Sequence, residues 1–210
     1  MTQVFADISM SLDGYITGPN DSVDNPLGDQ GERLHEWVFG LKGWRARHGM
    51  EGGRESRASE LMEEAFSRSG SFLMGRRMFD AGEQPWGEEP PFRGPVFVVT
   101  HRAGAEIAKR GGTTFSFVTD GIEEALRRAK EAAGEKDVSV AGGAAVIQQL
   151  LAADLLDELQ IHLVPVLLGG GVPLFAALPG LRELEPTRVI DSPAVTHLRL
   201  RPARRADPTR

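Results

Sequence analysis

Residues 95–100 read Pro-Val-Phe-Val-Val-Thr, and this short run constrains the fold more than any other segment. An unbroken row of β-branched and aromatic residues, with no alternation of polar side chains, predicts a strand buried on both faces. Such a strand lies inside a sheet that carries helices above and below it.

The rest of the chain supplies partners for it. Residues 3–9, 71–74, 114–118, 137–141 and 157–168 also read as strands, and two more are expected near 187–191 and 194–201. Helical spacing separates several of them. Leu61, Met62, Ala65 and Phe66 fall on one face of a helix over 57–68. Residues 121–133 predict a helix with Asp120 as N-cap and Ile122, Leu126 and Ala129 facing inward. A further helix follows Gly142-Gly143 over 144–153, and a short one is expected around 32–40. The Gly/Pro-rich stretches 18–31 and 82–94 read as loops.

Strands alternating with amphipathic helices, with no linker between apolar halves, predict one α/β domain over residues 1–202. Its sheet is expected to be mixed, mostly parallel, with an antiparallel edge. Residues 41–57, with Gly43, Arg45, Arg47, Gly49 and Arg54 in close order, read as an exposed, mobile insertion, and 203–210 as a frayed polar tail.

Composition narrows the chemistry. The chain has no cysteine, which excludes disulfides, thiolate zinc sites, iron–sulfur clusters and a cysteine nucleophile. The net charge of -6 and pI near 5.4 give no support for a nucleic-acid partner. Neither a basic, apolar leader nor a run of about 18 apolar residues is present, so a cytoplasmic protein without a membrane segment is expected. His35, His48, His101, His162 and His197 lack H-x-x-x-H spacing, which disfavours a metal site. His162 reads as a sheet residue. No G-x-S-x-G elbow is present.

Three strand ends carry groups suited to phosphate. Gly142-Gly143 lets a ligand approach the backbone, and the helix beginning at Ala144, Ala145 and Val146 offers unpaired N–H groups. The same Gly-Gly also fits a tight turn with no ligand. Gly75-Arg76-Arg77 sets two cations at a helix start, where the dipole disfavours them unless an anion compensates. Thr100-His101-Arg102 could receive a sugar phosphate, and an arginine there favours a 2′-phosphate over a ribose diol. G-x-G-x-x-G is absent, so an ordinary dinucleotide-binding domain is excluded. Asp13-Gly14 after the first strand could bind substrate or assist proton movement, or be a simple turn. The glycines after Leu168, at Gly169, Gly170 and Gly171, could shape a pocket floor. Trp37, Trp44 and Trp86 could line a flat pocket or pack in loops.

SLDGYI at 11–16, MGRRMFD at 74–80, VFVVTHR at 96–102, VAGGAAVIQQLL at 140–151 and DELQIHLVPVLLGGGVPLF at 157–175 occur together and in this order. In this combination the chain resembles the dihydrofolate-reductase-like family, in the branch of the riboflavin deaminase-reductase C-terminal domain. The resemblance implies a sheet of about eight strands and an NADPH-dependent reductase that passes a hydride to a small heterocyclic or ribosyl-derived compound. The expected activity is similar to 5-amino-6-(5-phosphoribosylamino)uracil reductase. A non-catalytic NADP-binding protein and a dihydrofolate reductase are the alternatives. It further implies Gly75, Arg76 and Arg77 at the cofactor phosphates and Thr100, His101 and Arg102 near the 2′-phosphate. Gly142 through Val146 would hold the pyrophosphate and the nicotinamide edge, while Asp13, Gly14, Leu168, Gly169 and Gly170 would face the substrate. A homodimer is implied as well. The deaminase half of the bifunctional enzyme has no counterpart in this sequence.

Overall fold

The structure is a computed structural model that describes residues 2–176 and 178–203. Nine strands are present among them: β1 (Val4–Ser11), β2 (Ser69–Gly75), β3 (Pro95–Val99), β4 (Ile107–Ala108), β5 (Thr114–Val118), β6 (Asp137–Gly142), β7 (Glu158–Val164), β8 (Leu184–Ser192) and β9 (Val195–Pro202). The helices are α1 (Glu36–Phe39), α2 (Lys42–Arg47), α3 (Arg57–Arg68), α4 (Arg76–Trp86), α5 (Ile122–Ala133) and α6 (Ala144–Ala152).

All nine strands join one sheet in the order β4-β5-β3-β2-β6-β1-β7-β9-β8. The six central strands from β5 to β7 are parallel. Antiparallel pairing closes both ends, through β4 on β5 and through β9 and β8 beyond β7. The expected single antiparallel edge is therefore doubled, because the two-residue β4 is too short to leave a pattern in sequence. β3 occupies the interior position that its composition demanded, with Val96 and Val98 buried on one face and Phe97 on the other.

Alternation along the strands sorts side chains into two cores. Val4 and Ala6 of β1, Leu73 of β2, Val138 and Val140 of β6 and Leu159 and Ile161 of β7 face α5 and α6. Phe72 and Met74 of β2 turn the other way, onto Phe79 of α4, with Phe92 and Phe115 beside them. Each fully buried side chain of this size contributes about 1.5–3 kcal/mol. Further along that second face, Leu34, Trp37, Val38, Leu41 and Ala58 cover Val164 and Val195.

Beneath Trp37 lies a polar seam. His162 of β7 bridges Asp7 of β1 (Nε2 to Oδ1, 2.6 Å) and His197 of β9 (Nδ1 to Nδ1, 2.7 Å). Gln160 donates to the other Asp7 oxygen at 2.8 Å and accepts from Arg199. The register sets Ser9 opposite His162 and His162 opposite His197, so the seam follows from strand alternation. His162 is thus a sheet residue, as expected.

Four local expectations need correction. α4 runs to Trp86 although a loop was expected from residue 82. Gly82 gives Trp86 room to fold back, since a Cβ there would lie 2.3 Å from the indole, and Pro85 falls in the last turn. Gly121, not Asp120, caps α5. β7 stops at Val164 instead of continuing to 168, because Pro165 has no N–H for the ladder. Residues 41–57 are largely exposed, as expected, but they are tied down: Leu41 is buried, α2 forms within them, and Arg47 donates to the carbonyls of Pro91 and Phe92 while stacking 3.7 Å over the Phe66 ring. Of the expected tail at 203–210, all but Ala203 lies outside the described residues.

Candidate active site

Because β1, β2, β3, β5 and β6 are parallel, their carboxyl ends open on one edge of the sheet. A cleft of about 1220 Å³ lies there. It exceeds the roughly 300–1,000 Å³ of a pocket for one drug-sized ligand, so it has room for a dinucleotide and a second molecule.

The structure brings the three strand-end sequences together on this cleft: Gly75, Arg76 and Arg77 from β2 and α4, Thr100, His101 and Arg102 after β3, and Gly142 through Val146 from β6 and α6. Neither α4 nor α6 has a side-chain cap; in α6 the Val146 N–H donates to the Gly143 carbonyl at 3.1 Å, which leaves those of Ala144 and Ala145 for the cleft. Gly142 has φ +132, a conformation closed to most residues, and the peptide joining it to Gly143 is cis. A Cβ at Gly143 would meet nothing within 4 Å, so this backbone borders open space. Thr100 is buried, and its hydroxyl accepts from the Arg102 N–H at 3.0 Å, which shapes the turn that presents the arginine.

Two carboxylates that the sequence reading passed over complete the basic end. Asp80 accepts from Arg76 Nε at 2.6 Å and from Arg102 Nη2 at 2.9 Å. Asp21, from the loop after β1, pairs with Arg77. These are the anions that a cationic helix start requires, and they leave three guanidiniums against two carboxylates. The i, i+4 spacing of Arg76 and Asp80 was a readable signal; Asp21 had none. Arg77 and Arg102 keep 64% and 68% of their side-chain surface exposed, so both can re-aim toward a ligand.

The opposite end, below β1, is apolar. Ile8, Ile16, Val23, Leu27 and Val172 line it, with Glu32 and His35. Burial, and then the nearby His162, push the His35 imidazole below the ordinary histidine range. Trp86 lines the cleft near α4, whereas Trp37 packs on His162 and His197 and Trp44 stacks on His48.

Asp13, Gly14, Leu168, Gly169 and Gly170 are not among the cleft-lining residues. The Asp13 carboxylate accepts from the N–H groups of Leu168 (3.2 Å) and Gly169 (2.7 Å) and from the Ser11 hydroxyl (2.6 Å). Chiefly the Ser11 bond, with help from these N–H groups, holds its pKa below the usual aspartate value. Asp13 thus ties two loops together. Gly171 explains the glycine run in part: with φ +119, a Cβ there would sit 2.0 Å from the Thr17 carbonyl oxygen.

Comparison with known proteins gives the lineage of this arrangement. The RibD C-terminal domain family matches residues 2–201. The chain belongs to that family. Among solved structures, a candidate riboflavin biosynthesis protein from Shewanella sp. PV-4 is similar at TM-score 0.70 and 22% identity, covering 97% of this chain and all of that one. The deaminase/5-amino-6-(5-phosphoribosylamino)uracil reductase of Thermotoga maritima is similar at TM-score 0.59 and 15% identity over 96% of this chain and 57% of its own. Dihydrofolate reductase from Enterococcus faecalis, in a complex with NADP(H), reaches TM-score 0.52 at 14% identity over 95% of each chain. At these identities the structural likeness establishes the fold, a dihydrofolate-reductase-like α/β domain. No helix among the described residues is long and apolar enough to cross a membrane.

Proposed function

We propose that this protein is an NADPH-dependent reductase that passes a hydride to a C=N or C=O bond of a small heterocyclic or ribosyl-derived compound. The observation that carries the reading is the convergence of Arg76, Arg77 and Arg102 with the uncapped start of α6 on one cleft. The donor set suits the group. Guanidiniums bind phosphate oxygens through charge-assisted bonds, and a helix start with glycine before it accepts a pyrophosphate. Membership in a family named for its RibD C-terminal domain, and a neighbour that carries NADP(H), support it further.

In this reading Arg102 and Arg76 bind the 2′-phosphate, with Asp80 holding both in place beforehand. Arg77, now paired with Asp21, would be free to hold a phosphate oxygen of the bound nucleotide. The N–H groups of Ala144 and Ala145 receive the pyrophosphate. When bound, the nicotinamide supplies the hydride. The apolar walls Ile8, Ile16 and Val172 exclude water from the transfer and hold the two reactants in register. Asp13 is given no role in proton delivery in this reading, since its carboxylate is bonded to the Ser11 hydroxyl and the N–H groups of Leu168 and Gly169. A homodimer is proposed on the family resemblance alone, to be checked by light scattering on the eluted protein.

Titration with NADPH and NADH, followed by nicotinamide fluorescence, tests the reading. Tight NADPH binding with much weaker NADH binding is expected; equal or absent binding overturns it. A protein that binds NADPH but oxidises it with no member of a pteridine, pyrimidine and quinone panel would be a nucleotide-binding protein without turnover.

A further inference from the structure

His35 is a half-buried imidazole that lines the cleft. It follows the short turn Gly31–Leu34 and precedes the first residue of α1. Two residues on, Trp37 pins this stretch to β1: its indole donates to the Ser9 hydroxyl at 3.1 Å, and its ring packs on His162, the register partner of Ser9 on β7. Ile8, next to Ser9, lies 3.8 Å from where a Cβ at Gly142 would stand. β1 and β6 are neighbours in the sheet, about 4.8 Å apart. The stretch that carries His35 is therefore seated on the strand adjoining the Gly142-Gly143 backbone.

Both ring nitrogens of His35 are open. The ring makes no hydrogen bond among the described residues. Among the same residues, the side-chain nitrogen or oxygen that is both sealed from solvent and unpartnered is His197 Nε2, so neither nitrogen of His35 is sealed. An imidazole set at a cleft with its donor and acceptor both unused can serve a bound molecule.

Most other ionisable side chains on the cleft are engaged. Asp21 pairs with Arg77, and Asp80 with Arg76 and Arg102. Arginine does not give up its proton in a protein. His101 stands exposed between Thr100 and Arg102, where the cofactor reading puts the 2′-phosphate. Glu32, exposed on the turn before His35, is the rival acid.

We propose that His35 is the proton donor of the reduction, a catalytic residue in contact with the substrate. This rests on the cofactor reading above. As the carbon of the C=N or C=O bond receives the hydride, its π electrons move onto nitrogen or oxygen, and that atom takes the proton from the His35 imidazolium. NADP+, the reduced substrate and a neutral imidazole result, and water entering the cleft reprotonates the ring.

The surrounding charges set the pH dependence. His162 of β7 acts on His35 by charge and is itself held by Asp7 of β1 and His197 of β9. Glu32 precedes the ring in the chain, and Glu36 follows it, paired with Arg33. Burial, and then His162, lower the His35 pKa from 6.5. The imidazolium is thus the minor form at pH 7 and grows as pH falls, so turnover should rise in the same direction.

The first arm of the test needs no substrate. Proton–nitrogen spectra of the 15N-labelled imidazoles follow each histidine from pH 4.5 to 8, with His35 assigned by its loss in His35→Gln, or in His35→Asn if the glutamine variant does not fold. NADP+ carries one more positive charge on its nicotinamide ring than NADPH. The His35 midpoint is expected at least about 0.4 pH lower in the NADP+ complex than in the NADPH complex, the size of one unit charge across roughly 8 Å of water. His48, which is not among the cleft-lining residues, should show no difference. Equal His35 midpoints in the two complexes overturn the proposal.

The second arm measures kcat/KM for a pteridine, pyrimidine or quinone acceptor at saturating NADPH between pH 5.5 and 8.5. The wild type should fall with rising pH, approaching ten-fold per pH. H35Q should lose about 100-fold at pH 6 and show a flat profile, with NADPH affinity unchanged. A profile unmoved in H35Q, or one flattened instead by Glu32→Gln, overturns the proposal. If no acceptor turns over, the midpoint difference decides. Failure of NADPH to bind at all removes the cofactor reading and this inference with it, whereas normal NADPH binding with equal His35 midpoints removes the inference alone.

Discussion

Arg102 Nη2 donates to Asp80 Oδ2 at 2.9 Å, joining the turn after β3 to the second turn of α4. The other Asp80 oxygen holds Arg76, so one carboxylate fixes two guanidiniums that come from different strand ends. This predicts a graded cofactor selectivity. Arg102→Ala should weaken NADPH binding by about ten-fold or more, in line with the roughly 1.5–3 kcal/mol of a charge-assisted bond, and leave NADH binding nearly unchanged. Nicotinamide fluorescence titration of both nucleotides measures it. An equal loss for NADH would mean that Arg102 does not meet the 2′-phosphate.

Two glycines separate folding from binding. A methyl group at Gly143 would project into open cleft, whereas one at Gly171 would sit 2.0 Å from the Thr17 carbonyl oxygen at a φ of +119. Gly143→Ala should keep the wild-type urea midpoint within the scatter of a neutral substitution, about 0.5 kcal/mol, and lose NADPH affinity at least about ten-fold. Gly171→Ala should lose roughly 3 kcal/mol of stability through overpacking and strained backbone. A stable G143A protein that binds NADPH normally would show that the cofactor does not approach this backbone.

The sheet was legible because burial imposes a period on the sequence. Unbroken apolar runs such as 95–99 must lie inside a parallel sheet, and glycine at the ends of β2 and β6 marks where these strands stop. Gly82 and Pro85 misled for a physical reason: both usually break helices, but here one makes room for Trp86 and the other sits in the final turn. The basic residues of the site could be read because arginine at a helix start is locally unfavourable. Their carboxylate partners could not all be read, since Asp21 reaches Arg77 from 56 positions away through a loop with no pattern of its own. Asp13 had two readings in the sequence, a chemical acid and a turn, and its oxygens on the N–H groups of Leu168 and Gly169 show a structural use that no local pattern announced.

That clamp makes its own prediction. Asp13→Ala should lower the thermal midpoint and speed proteolysis within 165–171, while NADPH affinity stays unchanged. Because the Ser11 hydroxyl and the loop N–H groups depress the Asp13 pKa, its stabilisation is present above the ordinary aspartate value of 3.8 and is lost as pH falls through the lower folded value. Limited proteolysis with mass mapping tests the loop effect. A D13A protein with wild-type stability but abolished turnover would instead place Asp13 at the reacting atoms.

Acid sensitivity at milder pH should come from the seam under Trp37. His162 Nε2 lies 2.6 Å from Asp7 Oδ1, and its Nδ1 lies 2.7 Å from His197 Nδ1. His197 Nε2 is buried and has no hydrogen-bond partner among the described residues. Burial, with the adjacent His162, pushes the His197 pKa down to about 4. The unfolded chain takes up this proton near 6.5 and the folded one only near 4, so stability is complete above pH 6.5 and declines as pH falls between those values. At about 1.4 kcal/mol per pKa unit the full loss is roughly 3 kcal/mol. Urea unfolding at pH 7.5 and pH 5.0 should therefore show a clear drop for the wild type. His197→Phe removes the titrating group, and its stability should fall distinctly less over the same interval, whatever its value at pH 7.5. An unchanged difference between the two pH values in H197F would assign the acid sensitivity elsewhere, with His35 the next group to replace.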